Sequence, residues 1–363
     1  MSGFMMRGVV GVSKFKGALV GALLGDCLGA PFEGENEPST DTLQEYFDSM
    51  ENPSTKAPVK RFTDDTAMTL GILKSFIELG CFDERDIANR FVTNYFREPN
   101  RGYGESVVTV FKKLRQILNS SNRSNSETDV WKPAQQQFNG SGSLGNGGAM
   151  RIAPVALYCY SDYKLLLSTA EKCTKLTHTH KLGVNGALLQ ALAVQQSLMV
   201  DSSQPLDVDC FINDLMAKMT EVEKANGNGT DNDIEMPYVE QLKIVKNLLM
   251  SENLDDEVVI DLLGNSIRAQ YSVPTALFCF LRAQKPIESI QTENKFRRTL
   301  QYSISLGGDT DTIASMAGAM SGAYHGLEYI NEGLQSHCEG VDEIINLSEQ
   351  LHSIAPSPPE HQT

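Results

Sequence analysis

Residues 305–324 read SLGGDTDTIASMAGAMSGAY, an acid-rich turn followed by an apolar run. The adjacent Gly307 and Gly308 predict a tight turn, because glycine adopts backbone conformations that other residues avoid. The Asp and Thr residues that follow are typical of a helix start, where their oxygens accept hydrogen bonds from free N–H groups. Alanine and glycine dominate the helix predicted over Ile313–Tyr324, and such small residues let neighbouring backbones approach closely. We therefore expect this helix to sit close to its neighbours and to hold its acidic start in place.

Helical periodicity also dominates the rest of the chain. Thr66–Leu79 places apolar residues along one face and ends at a glycine that is typical of a helix stop. Val184–Val200 is apolar almost all round, which is typical of a central helix. Asp256–Leu263 and Tyr271–Leu281 also have helical patterns, whereas alternating strand-like runs are scarce. These patterns predict an all-α fold, a compact single-domain orthogonal bundle of many helices.

One globular domain is predicted over residues 14–352, with flexible termini at residues 1–13 and 353–363. Within it, Asn119–Asp129 and Asn226–Asp233 are rich in polar, turn-forming residues and predict surface loops. Neither loop separates halves that have the pattern of independent domains. A single continuous core favours a monomer.

The composition excludes several classes of protein. The chain has 363 residues, 41% of them hydrophobic, and a formal net charge of −15. The acidic balance argues against direct DNA binding, which needs a basic face. Seven scattered cysteines without a CxxC pair favour an intracellular protein with reduced thiols over a disulfide scaffold. The run Gly17–Gly25 is too short and too rich in small residues to span a bilayer, so a core helix is predicted there.

Two acidic helix starts are candidates for chemistry, Thr63–Thr66 (TDDT) and Asp309–Thr312 (DTDT). Helix capping explains one Asp or Thr at each start. It does not explain a second acid at each, because clustered acids repel unless a cation lies between them. Carboxylate and hydroxyl oxygens without nearby His or Cys are the ligands of a hard ion, Mg²⁺ or Mn²⁺. If both starts converge they offer enough oxygens for two ions, so we favour a metal site over capping alone.

The segment Phe138–Met150, FNGSGSLGNGGAM, contains five glycines. A glycine-rich loop before a helix exposes backbone N–H groups that suit a phosphate or pyrophosphate. The segment matches neither the dinucleotide-binding fingerprint nor a P-loop, so a plain flexible loop is an equal alternative. Asp26, Glu33 and His178 are weaker candidates. Glu33 lies in a short stretch with Pro and Gly that can move, and a lone His among helices is usually packed or solvated.

Five motifs in this order resemble those of the ADP-ribosylhydrolase, or ADP-ribosylglycohydrolase, family: GDCLGAPFE, FTDDTAM, GSLGNGGAMR, LTH and SLGGDTDTIA. The resemblance covers nearly the whole chain, from Phe15 to His352. RGYGESVVTVFKKL, FNGSGS and YSVPTALFCFLR resemble the serine-directed vertebrate member more than the arginine-directed one. The resemblance implies a Mg²⁺-dependent hydrolase that cleaves the O-glycosidic bond at the anomeric carbon of ADP-ribose. It would remove ADP-ribose from serine and degrade poly(ADP-ribose) and O-acetyl-ADP-ribose.

The resemblance also implies a site for two Mg²⁺ ions, whose ligands come from both acidic helix starts and from a mobile flap. These ligands are Glu33, Thr63, Asp64, Asp65, Asp309, Asp311 and Thr312. Glu33 matches the glutamate of the flap, which gates the site. For catalysis, we interpret Asp309 as the group that accepts a proton from the attacking water. Glu33 then closes the site or protonates the leaving oxygen.

The glycine-rich loop, by the same resemblance, holds ADP-ribose, with Phe138 by the adenine, His178 near a phosphate and Ile267 against the nucleoside. The implied substrate-binding residues are Asp64, Phe138, Ser141, Gly142, Ser143, Leu144, Gly145, Asn146, Gly147, His178 and Ile267. Leu144 is a departure, because a related vertebrate enzyme has an aromatic residue at this place in the motif. An aromatic stacking partner contributes about 0.5–1.5 kcal/mol, so modestly weaker binding is expected.

Three alternatives share some of these features. They are a binding module that holds ADP-ribose without cleaving it, an arginine-directed ADP-ribosylhydrolase, and a general Mg²⁺-dependent phosphohydrolase. The intact acids and threonines of both helix starts favour an active enzyme. The expected partners are ADP-ribose, serine-ADP-ribosylated proteins and poly(ADP-ribose), without DNA or a membrane. The expected location is the nucleus and cytoplasm, with the mitochondrial matrix as an alternative.

Overall fold

The computed structural model describes six stretches of the chain. They are residues 10–34, 37–52, 54–119, 129–225, 235–251 and 254–357. Most of the predicted surface loops, residues 120–128 and 226–233, lies outside the described residues. Residues 1–9 and 358–363 of the predicted flexible termini lie outside them as well.

Helices alone make up the regular structure of the described residues, in which no β-strand occurs, so the all-α prediction is confirmed. The seventeen α-helices are α1 Val12–Gly29, α2 Thr40–Glu51, α3 Asp64–Leu79, α4 Glu84–Arg97, α5 Glu105–Leu118, α6 Lys132–Gln135, α7 Ala153–Tyr158, α8 Tyr163–Lys175, α9 Lys181–Met199, α10 Val208–Ala225, α11 Pro237–Leu249, α12 Asp256–Leu263, α13 Ala269–Arg282, α14 Lys295–Ser305, α15 Thr310–His325, α16 Glu332–Ser336 and α17 Val341–Ile354.

The helices predicted from periodicity are all present, as α3, α9, α12, α13 and α15. The predicted stop of α3 is confirmed at Gly80, which has a φ of 66° and a left-handed conformation. In this conformation the backbone N–H of Gly80 bonds the carbonyl of Phe76 in the last turn of the helix. Glycine adopts the conformation without a steric clash because it has no Cβ atom.

One hydrophobic core runs through the described chain, and its buried apolar residues extend from Val10 to Leu351. This continuity agrees with the single domain that was predicted. By length and composition Val12–Phe32 could cross a membrane, but 83% of its most apolar window is buried inside the protein. The prediction of a core helix in this region is therefore confirmed, and the helix is longer than the run Gly17–Gly25.

The central contact of the fold joins α1 to α15, backbone to backbone. A Cβ atom placed on Gly21 would lie 2.2 Å from the carbonyl oxygen of Gly318. A Cβ on Gly25 would lie 2.2 Å from the carbonyl oxygen of Ala314. The α1 glycines that meet α15 in this way are spaced four residues apart, Gly17, Gly21, Gly25 and Gly29. Because helix positions four apart share a face, one face of α1 is free of side chains and admits the α15 backbone.

The start of α3 is attached to α1 by the buried carboxylate of Asp26. That carboxylate accepts hydrogen bonds from the backbone N–H of Thr63 at 2.9 Å and of Thr66 at 3.0 Å. The Thr66 hydroxyl donates a third at 2.6 Å. An acid at a helix N-terminus satisfies free N–H groups and complements the helix dipole. Both acidic helix starts are therefore positioned by α1.

Replacing Gly21 by alanine tests the backbone contact. Helix propensity alone would raise the free energy of unfolding by about 1 kcal/mol. The clash with Gly318 should instead lower it by about 3 kcal/mol, as measured by urea unfolding followed by circular dichroism. Gly104→Ala is the matched control, because nothing lies within 4 Å of its added Cβ. A Gly21→Ala protein as stable as the parent would contradict the contact.

Replacing Thr66 by valine removes the hydroxyl that donates to Asp26 while keeping the side-chain shape. Because a hydrogen bond to a buried charged group contributes about 1.5–3 kcal/mol, stability should fall by a similar amount. Thr66→Ser, which keeps the hydroxyl, should recover most of that loss. Equal stabilities for the valine and serine variants would show that the hydroxyl is unimportant.

Candidate active site

Three carboxylates from separate turns meet at the start of α15. Glu33 follows a short 3-10 turn, Ala30–Phe32, that continues from α1. Asp309 precedes α15, and Asp311 lies in its first turn. Carboxylate oxygens of Glu33, Asp309 and Asp311 all lie within 4.8 Å of one another. Glu33 is exposed and the two aspartates are buried, so the cluster has an open side at Glu33.

The acidic start of α3 contacts the acidic start of α15. The Thr312 hydroxyl lies 3.4 Å from Oδ1 of Asp65, which joins the two predicted clusters. Oδ2 of Asp65 is buried and has no hydrogen-bond partner among the described residues. Thr63 caps α3, since its hydroxyl accepts a hydrogen bond from the Asp65 N–H at 3.3 Å. Asp64 lies beside the loop that connects α4 to α5, with Oδ1 3.7 Å from a Cβ placed on Gly102.

Burial and mutual repulsion make these acids hard to ionise. Burial, followed by the charge of Asp26, raises the pKa of Asp64 to about 8. Burial, followed by the charge of Asp311, raises the pKa of Asp65 well above its usual range. Burial and then Asp309 raise the pKa of Asp311 in the same way. No lysine or arginine of the described chain forms an ion pair with them.

The donor set fits a hard divalent cation. Its ligand atoms are carboxylate and hydroxyl oxygens, which hard cations prefer. The unpartnered Oδ2 of Asp65 is a buried polar atom that a cation would satisfy. A cation would also remove the repulsion that raises the pKa values of these acids.

An asparagine connects the acids to the glycine-rich loop. The side-chain amide of Asn146 donates to Oδ2 of Asp309 at 2.5 Å and to the Ser272 hydroxyl at 3.0 Å. The backbone N–H of Asn146 donates to the Ile267 carbonyl at 2.9 Å, and that of Asp309 donates to the Asn265 carbonyl at 2.9 Å. The loop, the turn before α13 and the start of α15 therefore form one hydrogen-bonded unit. Sequence reasoning missed Ser272 and Asn265.

The glycine-rich loop packs tightly against the segment between α8 and α9. A Cβ on Gly142 would lie 2.2 Å from the Thr179 hydroxyl oxygen. A Cβ on Gly147 would lie 2.6 Å from Cε1 of His178. These glycines are therefore required by close approach, which argues against a plain flexible loop. Within the described residues, the backbone N–H groups of Ser143 and Leu144 donate no hydrogen bond and remain available to a ligand.

Apolar side chains stand at the rim of this loop. Phe138 is 58% exposed and Ile267 is 67% exposed, so both side chains are accessible to a ligand. Phe138 has a φ of 49°, a left-handed conformation that is strained for an aromatic residue. Ser141 is exposed and donates to the Phe138 carbonyl at 2.8 Å, and Leu144 is half-buried. Their contacts with adenine or nucleoside stay predictions.

Two buried basic groups lie beneath the loop. His178 packs under Gly145 and Gly147, so it is neither solvated nor remote from the predicted site. Arg151 is fully buried and donates to the Gly147 carbonyl. Sequence reasoning assigned no role to Arg151, although the residue closes the quoted motif GSLGNGGAMR.

Comparisons with known proteins agree with this fold. A sequence model of the ADP-ribosylglycohydrolase family matches residues 10–360. The chain is 44% identical to ADP-ribosylhydrolase ARH3 of Mus musculus over 356 residues, which cover 94% of this chain and 92% of the relative. It is 41% identical to ADP-ribosylhydrolase ARH3 of Danio rerio over 351 residues, which cover 95% and 92%.

Among solved structures, one described as an ADP-ribosylglycohydrolase-related protein complex superposes with a TM-score of 0.63. The alignment covers 95% of this chain and 99% of that one at 20% identity, which supports the fold alone. The match to the family and the identity to its curated members extend over nearly the whole chain. This chain is therefore an enzyme of the ADP-ribosylglycohydrolase family.

Proposed function

We propose that this enzyme removes ADP-ribose from serine in a Mg²⁺-dependent reaction, and that it also degrades poly(ADP-ribose) and O-acetyl-ADP-ribose. The observation that carries the proposal is the convergence of two acidic helix starts beside the glycine-rich loop, joined by Asn146 and Asp309. The identity of 44% to ADP-ribosylhydrolase ARH3 of Mus musculus supports the same reaction. The choice of serine over arginine rests on motif resemblance.

Two Mg²⁺ ions would be held by oxygen atoms of both helix starts and of Glu33. The proposed ligands are Glu33, Thr63, Asp64, Asp65, Asp309, Asp311 and Thr312. When bound, such ions orient the ribose hydroxyls and lower the pKa of a nearby water.

The chain's own carboxylates would handle the protons. Water attacks the anomeric carbon while the bond from that carbon to the serine oxygen breaks, through a transition state with oxocarbenium character. Asp309 accepts the proton of the water, and the amide of Asn146 holds its carboxylate in place. Burial and the neighbouring Asp309 raise the pKa of Glu33. While its carboxylate is not bound to a cation, Glu33 retains a proton more readily than an ordinary glutamate and can pass it to the serine oxygen. As a cation ligand it is ionised and closes the site instead.

The glycine-rich loop would hold the ADP moiety. Its free N–H groups at Ser143 and Leu144 suit pyrophosphate oxygens, and the exposed Phe138 and Ile267 suit the flat adenine and its ribose. The surface of the acceptor protein would then lie on the open side of the acids, at Glu33. We further propose a monomer that binds neither DNA nor membranes, in the nucleus and cytoplasm or the mitochondrial matrix.

The double substitution Asp64→Asn with Asp311→Asn should abolish release of ADP-ribose from a serine-linked peptide in Mg²⁺. The loss should exceed about a thousandfold, since two acids of the site are neutralised. Asp214→Asn with Asp261→Asn, at two exposed positions, makes the same charge change and should leave turnover intact. EDTA should stop the parent enzyme.

Each other outcome of this assay contradicts one part of the proposal. Near-normal turnover by the double variant would contradict the proposed metal site. Selective release of ADP-ribose from arginine would contradict the assignment of serine as the acceptor. Phosphate release from ADP-ribose would point to a phosphohydrolase instead of a glycohydrolase.

Cation removal should make stability depend on pH. The pKa of Asp64 is raised to about 8 in the folded chain, whereas the pKa of an Asp in the unfolded chain is about 4. Between these values the folded chain binds more protons than the unfolded chain, so stability is highest at low pH and falls as pH rises. In EDTA, the melting temperature should drop by about 5 °C from pH 5 to pH 8.

With Mg²⁺ present, ionised carboxylates become ligands and the drop should shrink. Asp64→Asn should also reduce the drop in EDTA, because that side chain no longer titrates. Identical pH profiles with EDTA and with Mg²⁺ would rule out a cation at these acids.

A further inference from the structure

We propose that Arg151 is a positioning residue that acts through Thr177 to fix the tautomer of His178, so that the Nε2–H of His178 donates into the glycine-rich loop. The ligand class is a phosphoryl oxygen that accepts one hydrogen bond, and its identity as the pyrophosphate of ADP-ribose rests on the proposed function. The hydrogen-bonded relay from Arg151 through Thr177 to His178 rests only on contacts within the protein.

Arg151 is the fixed end of the relay. Its side chain is 0% exposed and makes no ion pair with any Asp or Glu of the described chain. The guanidinium donates instead to the Gly147 carbonyl, to the Cys173 carbonyl at 3.3 Å and to the Thr177 hydroxyl oxygen at 2.8 Å. It also lies 4.9 Å from the ring centre of Phe91. A guanidinium has donors only, so the direction of these bonds is not in question.

Thr177 connects Arg151 to the imidazole ring of His178 through its hydroxyl group. Its hydroxyl oxygen accepts from Arg151 and lies 2.7 Å from Nδ1 of His178. Thr177 is fully buried, and Nδ1 is the one acceptor available to its hydroxyl hydrogen among the described residues. If Nδ1 carried the proton, that hydroxyl hydrogen would be buried without a partner. Satisfying the network therefore assigns the ring proton to Nε2.

Nε2 of His178 faces the loop. It lies 3.0 Å from a Cβ placed on Gly147 and 3.4 Å from one placed on Gly145, and it bonds no described residue. Burial, followed by the charge of Arg151, lowers the pKa of His178 to about 3. The ring is therefore neutral at physiological pH and offers one donor, which points between the two glycines. The backbone N–H groups of Ser143 and Leu144 in the same loop are neutral donors as well.

The tautomer can be read directly by NMR of the full-length protein labelled with ¹⁵N in histidine. The chain has six histidines, and the His178 signals are assigned as those lost in His178→Gln. The expected spectrum shows a protonated Nε2 and an unprotonated Nδ1 from pH 6 to pH 8. A proton on Nδ1 in the parent protein overturns the relay, whether or not any variant folds.

The Thr177 variants test the direction of control. Thr177→Val should convert His178 to a mixture of tautomers, and Thr177→Ser should restore the single form. Thr174→Val is the matched control, because the Thr174 hydroxyl, in the last turn of α8, is also buried and has no partner among the described residues. An unchanged His178 spectrum in Thr177→Val overturns the relay.

Binding then separates the relay from the proposed function. Thr177→Val should weaken ADP-ribose binding about five- to tenfold in isothermal titration. It should raise KM with little change in kcat, and Thr174→Val should do neither. ADP-ribose binding that is unaffected by Thr177→Val overturns the role of the relay in recognition. The expected tautomer in a protein that fails to bind ADP-ribose would support the relay and overturn the proposed ligand.

Discussion

The site depends on the place where two helices touch without side chains between them. Gly21 and Gly25 of α1 lie against carbonyl oxygens of α15, so the two helix backbones are in direct contact. That contact sets the start of α15 beside the end of α1, from which Glu33 follows after one short turn. Since Asp26 of the same helix binds the start of α3, a single buried helix locates the acids of all three segments. The position of every proposed cation ligand therefore follows from α1.

The acids themselves oppose the fold that holds them. Several carboxylates are buried together, and no basic residue of the described chain pairs with them. Such a group is unfavourable unless protons or a cation neutralise it. The continuous apolar core around α1 and α15 offsets this cost and keeps the oxygens apart at fixed distances. Locally unfavourable chemistry that is held by favourable packing elsewhere is typical of active sites.

The sequence was informative where a structural rule is local. Periodicity predicts most of α3 and its glycine stop. The repulsion between clustered carboxylates predicts a cation if the two acidic starts meet, but it does not predict that they meet, which the structure shows. Asn265, Ser272 and the relay from Arg151 could not be predicted, because each acts across contacts between distant segments. The four-residue spacing of glycines in α1 was visible, but its meaning depends on which helix lies opposite.

The attachment of α3 through Asp26 has a mechanical consequence. The α15 half of the acid cluster is held by backbone packing, which no change of charge can loosen. The α3 half is held by three hydrogen bonds to one carboxylate, whose pKa burial raises to about 6. The position of the α3 start therefore depends on the charge of Asp26, whereas that of the α15 start does not. Protonation of Asp26 weakens one attachment of the acid cluster and leaves the other in place.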